Sequence, residues 1–87
     1  MEHQIEYVCK RFGITEDQLF KKSRKRLYSS ARGVLYCIMS DQYPGRISKK
    51  LMDEKGFAIS RASIYHGKNI GLTFYSNLIN SYLHNEQ

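Results

Sequence analysis

Apolar residues in this 87-residue chain recur at the three- and four-residue intervals of a helix and nowhere alternate as they would in a strand. An all-helical fold is therefore expected, and the stripes can be followed from one end to the other. Ile5, Val8, Cys9 and Phe12 share one face of a first helix of about ten residues, which Gly13 ends. Thr15 followed three residues later by Gln18 predicts a capping box at the start of a short second helix over 16–20, with Glu16 and Asp17 at its positive end and Leu19 and Phe20 as anchors. The longest stripe, Leu27, Ala31, Val34, Leu35 and Ile38, predicts a central third helix reaching about Gln42. Pro44-Gly45 interrupts the pattern, and a fourth helix is predicted from about Arg46, with Ile47, Leu51 and Met52 turned inward, Lys49 and Lys50 turned outward, and Gly56 as its stop. Ser60 is the expected N-cap of a fifth helix running to about Ile70, so the fourth and fifth helices, joined across 56–59, resemble a helix-turn-helix. Gly71 predicts a hinge. Beyond it Thr73 is the expected cap of a last helix striped by Tyr75, Leu78, Ile79, Tyr82 and Leu83.

Five to six helices in 87 residues make one compact bundle, 1–87. Fourteen Lys and Arg against eight Asp and Glu give a net charge of +6, which points to a polyanionic partner. The charge is concentrated in Lys21-Lys22-Ser23-Arg24-Lys25-Arg26, a run with no acid and no apolar residue that must lie in solvent as a basic loop. Cys9 and Cys37 fall inside apolar patterns without a Cys or His at metal-ligand spacing, so reduced, buried thiols are expected. His3, His66 and His84 sit on different elements, and the acid pairs Glu16-Asp17 and Asp53-Glu54 point apart on their helices. No catalytic residue, no metal site and no cofactor is expected. A phosphate loop of the G-x-x-x-x-G-K-[ST] type is missing, which argues against a nucleotide. No signal-like start and no membrane-spanning apolar run is found, so a cytoplasmic location and no membrane partner are expected. The seven tyrosines and four phenylalanines could form a stacking platform for single strands, but Phe12, Phe20, Tyr36 and Tyr75 lie on or beside apolar stripes, and core packing is the expectation for most.

The order of these pieces resembles the C-terminal DNA-binding domain of the bacterial replication initiator DnaA, a Trp-repressor-like helical fold. The resemblance covers about residues 4 to 70 and is carried by Val8 through Phe12-Gly13-Ile14-Thr15, by Leu19 before Lys22-Ser23-Arg24-Lys25-Arg26, by Ala31-Arg32 and by Ser63-Ile64-Tyr65-His66. It implies a basic loop in a minor groove and the fifth helix in the adjacent major groove of double-stranded DNA. By position, Arg24 is then the minor-groove residue, Lys22, Lys25, Arg26 and Arg32 contact the backbone, and Ser60, Arg61, Ala62 and Ser63 open the recognition helix. These side chains suit those roles chemically, since arginine pairs bidentately with guanine, serine meets several bases and the alanine methyl meets that of thymine. Lys49, Lys50 and Lys68 are further candidate contacts, and His66 is left for packing or a phosphate. Where the family usually carries Gly-Arg-Asp-His-Thr-Thr-Val, this chain reads Ala58-Ile59-Ser60-Arg61-Ala62-Ser63-Ile64, so a target other than the family's nonamer box, or weak specificity, is expected.

The expected function is sequence-preferring duplex binding by a stand-alone regulator of replication or transcription, in a bacterial cell or a phage-infected host. Residues 71–87 lie past the resemblance, and their helix is read as a cap on the domain or as the contact of a homodimer. The alternatives are a protein-interaction module using that helix and an RNA-binding module using the basic loop and exposed tyrosines.

Overall fold

A computed structural model describes residues 1–23, 25–39 and 43–85. Among them are six helices and no strand: α1 (Glu2–Phe12), α2 (Glu16–Leu19), α3 (Arg26–Ile38), α4 (Pro44–Lys55), α5 (Arg61–Phe74) and α6 (Ser76–Asn85). The punctuation anticipated from the sequence is present. Gly13 and Gly56 close α1 and α4 with φ of 64° and 62°, a left-handed conformation that glycine adopts without a Cβ clash. Thr15 and Gln18 form both halves of the capping box: the Gln18 amide donates to Thr15 Oγ1 at 3.1 Å, and the Thr15 amide donates to Gln18 Oε1 at 2.9 Å. Ser60 caps α5 by accepting from the Ser63 amide.

Helix α3 is the axis of the bundle, packing on α1, α2, α5 and α6, and it is buried almost all round from Ser30 to Tyr36. Its apolar stripe begins one turn later than expected. Leu27 is 40% exposed, because the first turn of α3 projects past the helices that cover the rest. The predicted end near Gln42 lies outside the described residues, and the regular helix stops at Ile38. Helix α4 starts at Pro44 rather than at Arg46: proline at the first helical position loses no hydrogen bond and has φ already set. Its inner face holds Ile47 and Leu51 as expected, but Met52 is exposed. Ser48 faces the following connection instead, its hydroxyl donating to the Ile59 carbonyl at 2.6 Å.

No hinge occurs at Gly71, and Thr73 caps nothing. Helix α5 runs straight through both to Phe74 because Gly67 and Gly71 lie against Gly33 of α3. A Cβ on Gly33 would stand 2.6 Å from the Gly67 carbonyl oxygen, and one on Gly71 would stand 2.9 Å from the Gly33 oxygen. Here the glycines are contact surfaces between two helix backbones, not breaks in a helix.

The tail helix packs inward. Ile79 and Tyr82 are buried, Tyr75 and Leu83 are packed against the core, and the Tyr7 hydroxyl donates to the Leu78 carbonyl at 2.9 Å. Rings of α1 meet tilted partners here, Tyr7 with Tyr82 of α6 at 5.0 Å and Phe12 with Tyr75, at the C-cap of α5, at 5.4 Å. The stripe read as a dimer contact is thus part of this chain's own core. At the opposite end Lys55 Nζ reaches Glu2 at 2.6 Å and Glu16 at 2.9 Å, tying the end of α4 to the starts of α1 and α2. These hydrogen bonds raise the lysine pKa. A raised pKa contributes stability fully below the unfolded lysine value of about 10.4 and loses it as pH rises through the folded one. Lys55→Gln should therefore lower the unfolding temperature by a margin that is constant near neutrality and closes once the pH is high enough to deprotonate the folded lysine. A margin that persists undiminished at that pH would assign the loss to packing rather than charge.

Candidate nucleic-acid interface

The basic loop is organised from beneath. Arg32 projects from α3 under it and is only 9% exposed. Its Nη1 donates to the carbonyls of Leu19 and Lys21, both at 2.9 Å, and its Nη2 donates to that of Ser23 at 3.0 Å. The guanidinium also lies over the Phe57 ring at 5.7 Å, which in turn packs on Phe20. A loop of this composition offers its own backbone few partners, and one planar fork of fixed donors supplies three. Arg32, expected as a backbone contact, is thus engaged with the loop's own carbonyls and holds the segment that carries the exposed charges, while also lining the cleft beneath it. Beside it the Tyr36 hydroxyl is buried next to the Arg32 guanidinium. Burial pushes this hydroxyl up to about 12, with the neighbouring Arg32 charge acting the other way.

Above this staple Lys21, Lys22 and Lys25 are exposed, and the turn is closed by the Ser23 amide on the Lys21 carbonyl at 2.7 Å and the Lys25 amide on Ser23 Oγ at 3.1 Å. Arg24, the minor-groove candidate, lies outside the described residues. Arg26 is exposed as the first residue of α3 rather than as part of the loop, and Lys25 Nζ sits over the Tyr28 ring at 5.6 Å.

Ser60, Arg61, Ala62 and Ser63 are all exposed at the start of α5. Two of them are partly engaged with each other, since Ser60 Oγ accepts from the Ser63 amide and donates to Ser63 Oγ at 3.0 Å. Between α5 and the loop lies an open cleft of about 680 Å³. Ser23 stands on its loop side, Ser29 on α3, and Ala62, Ser63 and His66 on α5. The basic loop and the exposed start of α5, separated by nearly forty residues of sequence, therefore border the same depression.

The remaining candidates lie elsewhere. Lys49 is paired with Asp53 at 3.4 Å on the outer face of α4, Lys50 is half-buried further along the same helix, and Lys68 is half-buried near the Cys37 thiol. None of the three lines the cleft. Reasoning from the sequence passed over Ser29 and left His66 open, although Ala62 and His66 are four apart and so share a helix face. Cys37 Sγ donates to the Lys68 carbonyl at 3.4 Å, and burial raises the pKa of both thiols, with Glu16 adding to the rise at Cys9. Neither is set up as a thiolate nucleophile. Of the acid pairs, Glu16 and Asp53 are engaged in the ion pairs described. Among the described residues no three His, Cys, Asp or Glu side chains converge as a metal site, and no helix is long and apolar enough to cross a membrane.

In comparisons with known proteins, no family model, no curated protein and no solved structure matches this chain.

Proposed function

We propose that this protein binds double-stranded DNA without catalysing a reaction, entering a major groove with the exposed start of α5 and gripping the neighbouring backbone or minor groove with the basic loop. The observation that carries this reading is the shared cleft: Ser23, on a loop fixed by Arg32, stands across from Ala62, Ser63 and His66 of α5, while Lys21, Lys22 and Lys25 on the same loop and Arg61 at the helix start are exposed beside it. Two elements on one side of a small domain suit a duplex whose grooves alternate along one face. The net charge of +6 supplies the sequence-independent part of the affinity. The order of elements resembles the DNA-binding domain of the initiator DnaA, with Arg24 assigned to the minor groove by position, and a role in regulating replication or transcription follows from that resemblance. Burial of Ile79 and Tyr82 of the α6 stripe in the chain's own core favours this reading over a protein-interaction module built on that stripe.

Selection from a randomised duplex pool at two salt concentrations tests the reading. Arg61→Ala should weaken the selected duplex by about 1–3 kcal/mol and relax preference at one position, whereas Lys22→Ala should weaken every duplex alike and reduce the salt slope by about one. Equal losses on selected and scrambled duplexes for Arg61→Ala would remove base reading. Failure to bind any duplex at low salt would remove the proposal.

A further inference from the structure

A second surface lies at the corner where α4 and α5 begin. Tyr43 and Tyr65 are 55% and 63% exposed, unlike the core rings Tyr7, Tyr36 and Tyr82. They share an open groove of about 580 Å³ with Arg46 and Arg61 and the small residues Gly45 and Ala62 between them. Arg46 is stacked over the Tyr43 ring at 5.2 Å. The aliphatic stem of Arg61 lies across Gly45, its Cδ only 3.1 Å from where a Cβ would stand, so the arginine is held over the start of α4 by a residue with no side chain. Among the described residues no acid lines the groove, and the positive ends of two helices of 12 and 14 residues meet there.

We propose that this corner is a stacking site for unpaired bases of a single-stranded nucleic acid, with Tyr43 and Tyr65 as the platforms and Arg46 and Arg61 facing the phosphates and ring faces. Exposed aromatic faces interleaved with arginine are the chemistry that takes flat bases while the cations follow the strand. A paired duplex keeps its base faces stacked inside and offers them to neither ring. The site shares Arg61 and Ala62 with the proposed duplex surface but depends on the tyrosines, which the duplex reading does not use.

The test is a titration of the full chain at low salt with a short oligothymidylate and with an abasic phosphodiester oligomer of equal length, which has the same charge and no bases. The wild type should bind the oligothymidylate about tenfold more tightly. Tyr43→Ala and Tyr65→Ala should each reduce that ratio several-fold without changing the unfolding temperature, Tyr43→Phe and Tyr65→Phe should keep it, and Arg61→Ala should weaken both oligomers. Since the chain has no tryptophan, Tyr65→Trp supplies a single emission reporter that oligothymidylate should quench and the abasic oligomer should not. An oligouridylate arm shows which sugar the site prefers, and tight stacking of either strand supports it. Equal affinity for the base-bearing and abasic oligomers, or a ratio unchanged in the double alanine variant, would overturn the proposal. Blunt duplexes keep the two claims apart: a chain that binds duplex but ignores bases on single strands loses only this site, and the converse loses only the duplex reading.

Discussion

Gly33→Ala should lower the unfolding temperature by about 12–24 °C, the equivalent of roughly 3 kcal/mol or more in a domain of this size. The added methyl would sit 2.6 Å from the Gly67 carbonyl oxygen and 3.4 Å from its carbon, and neither is the end of a flexible side chain. Relief requires α3 and α5 to move apart, and that opens the seam along the central helix. Alanine's better helix propensity offsets about 1 kcal/mol of the cost. Gly71→Ala should behave in the same way, because its methyl would meet the Gly33 oxygen at 2.9 Å and Cys37 Sγ at 3.0 Å. Gly13→Ala is the contrast: nothing lies within 4 Å of the added methyl, and only the left-handed backbone conformation resists it, at a cost of about 1 kcal/mol. Thermal unfolding followed by circular dichroism separates the cases. A Gly33→Ala midpoint within a few degrees of the wild type would mean that the two helices do not pass this closely.

The second large effect is expected at Arg32. Its removal leaves the carbonyls of Leu19 and Ser23 without this donor and that of Lys21 with the Ser23 amide alone, and a buried polar group left unpaired costs about 1–3 kcal/mol. Arg32→Met, which keeps much of the apolar stem, should therefore cost about 3 kcal/mol in stability and, at a temperature where the chain stays folded, at least about tenfold in duplex affinity. Arg32→Lys should recover little of either, since a point charge does not reproduce a fork that serves three carbonyls. The salt dependence discriminates between roles. A lost phosphate contact would reduce the slope of log affinity against log salt by about 0.9, whereas loss of loop order at constant charge contact leaves it nearly unchanged. Full duplex affinity in a folded Arg32→Met chain would show that the loop needs no staple to bind.

Gly33 and Arg32 also mark where the sequence stops being legible. Both occupy α3, both are nearly invisible to hydrophobic periodicity, and their roles depend on residues far along the chain. Gly67 and Gly71 read as weak points of a helix because isolated glycine has poor helix propensity. Opposite Gly33 they are what lets two backbones approach, and the packing gained keeps α5 continuous through Gly71. Arg32 read as a phosphate contact because arginine near a basic loop on a DNA-binding resemblance suggests one. Burial redirected its donors to the loop's own carbonyls. Leu27 and Met52 fit their helical stripes and are nonetheless exposed, since spacing defines a face but does not say how far the neighbouring helices extend along it.

Legible from the residues alone were the helical class, the left-handed stops at Gly13 and Gly56, the capping box at Thr15 and Gln18, the cap at Ser60 and the solvent exposure of Lys21, Lys22, Lys25 and Arg26. These features are local: each follows from the conformational limits or hydrogen-bonding reach of a few adjacent residues, or from charges that have nowhere to be buried. It took the packing of distant elements to establish that the α6 stripe closes over α1, that Arg32 lies under the loop, that the loop and the start of α5 border one cleft, and that Tyr43 and Tyr65 remain in solvent at a shared corner. Those outcomes depend on which distant surfaces compete for burial and on how closely helix backbones can pass, and no window of neighbouring residues contains that information.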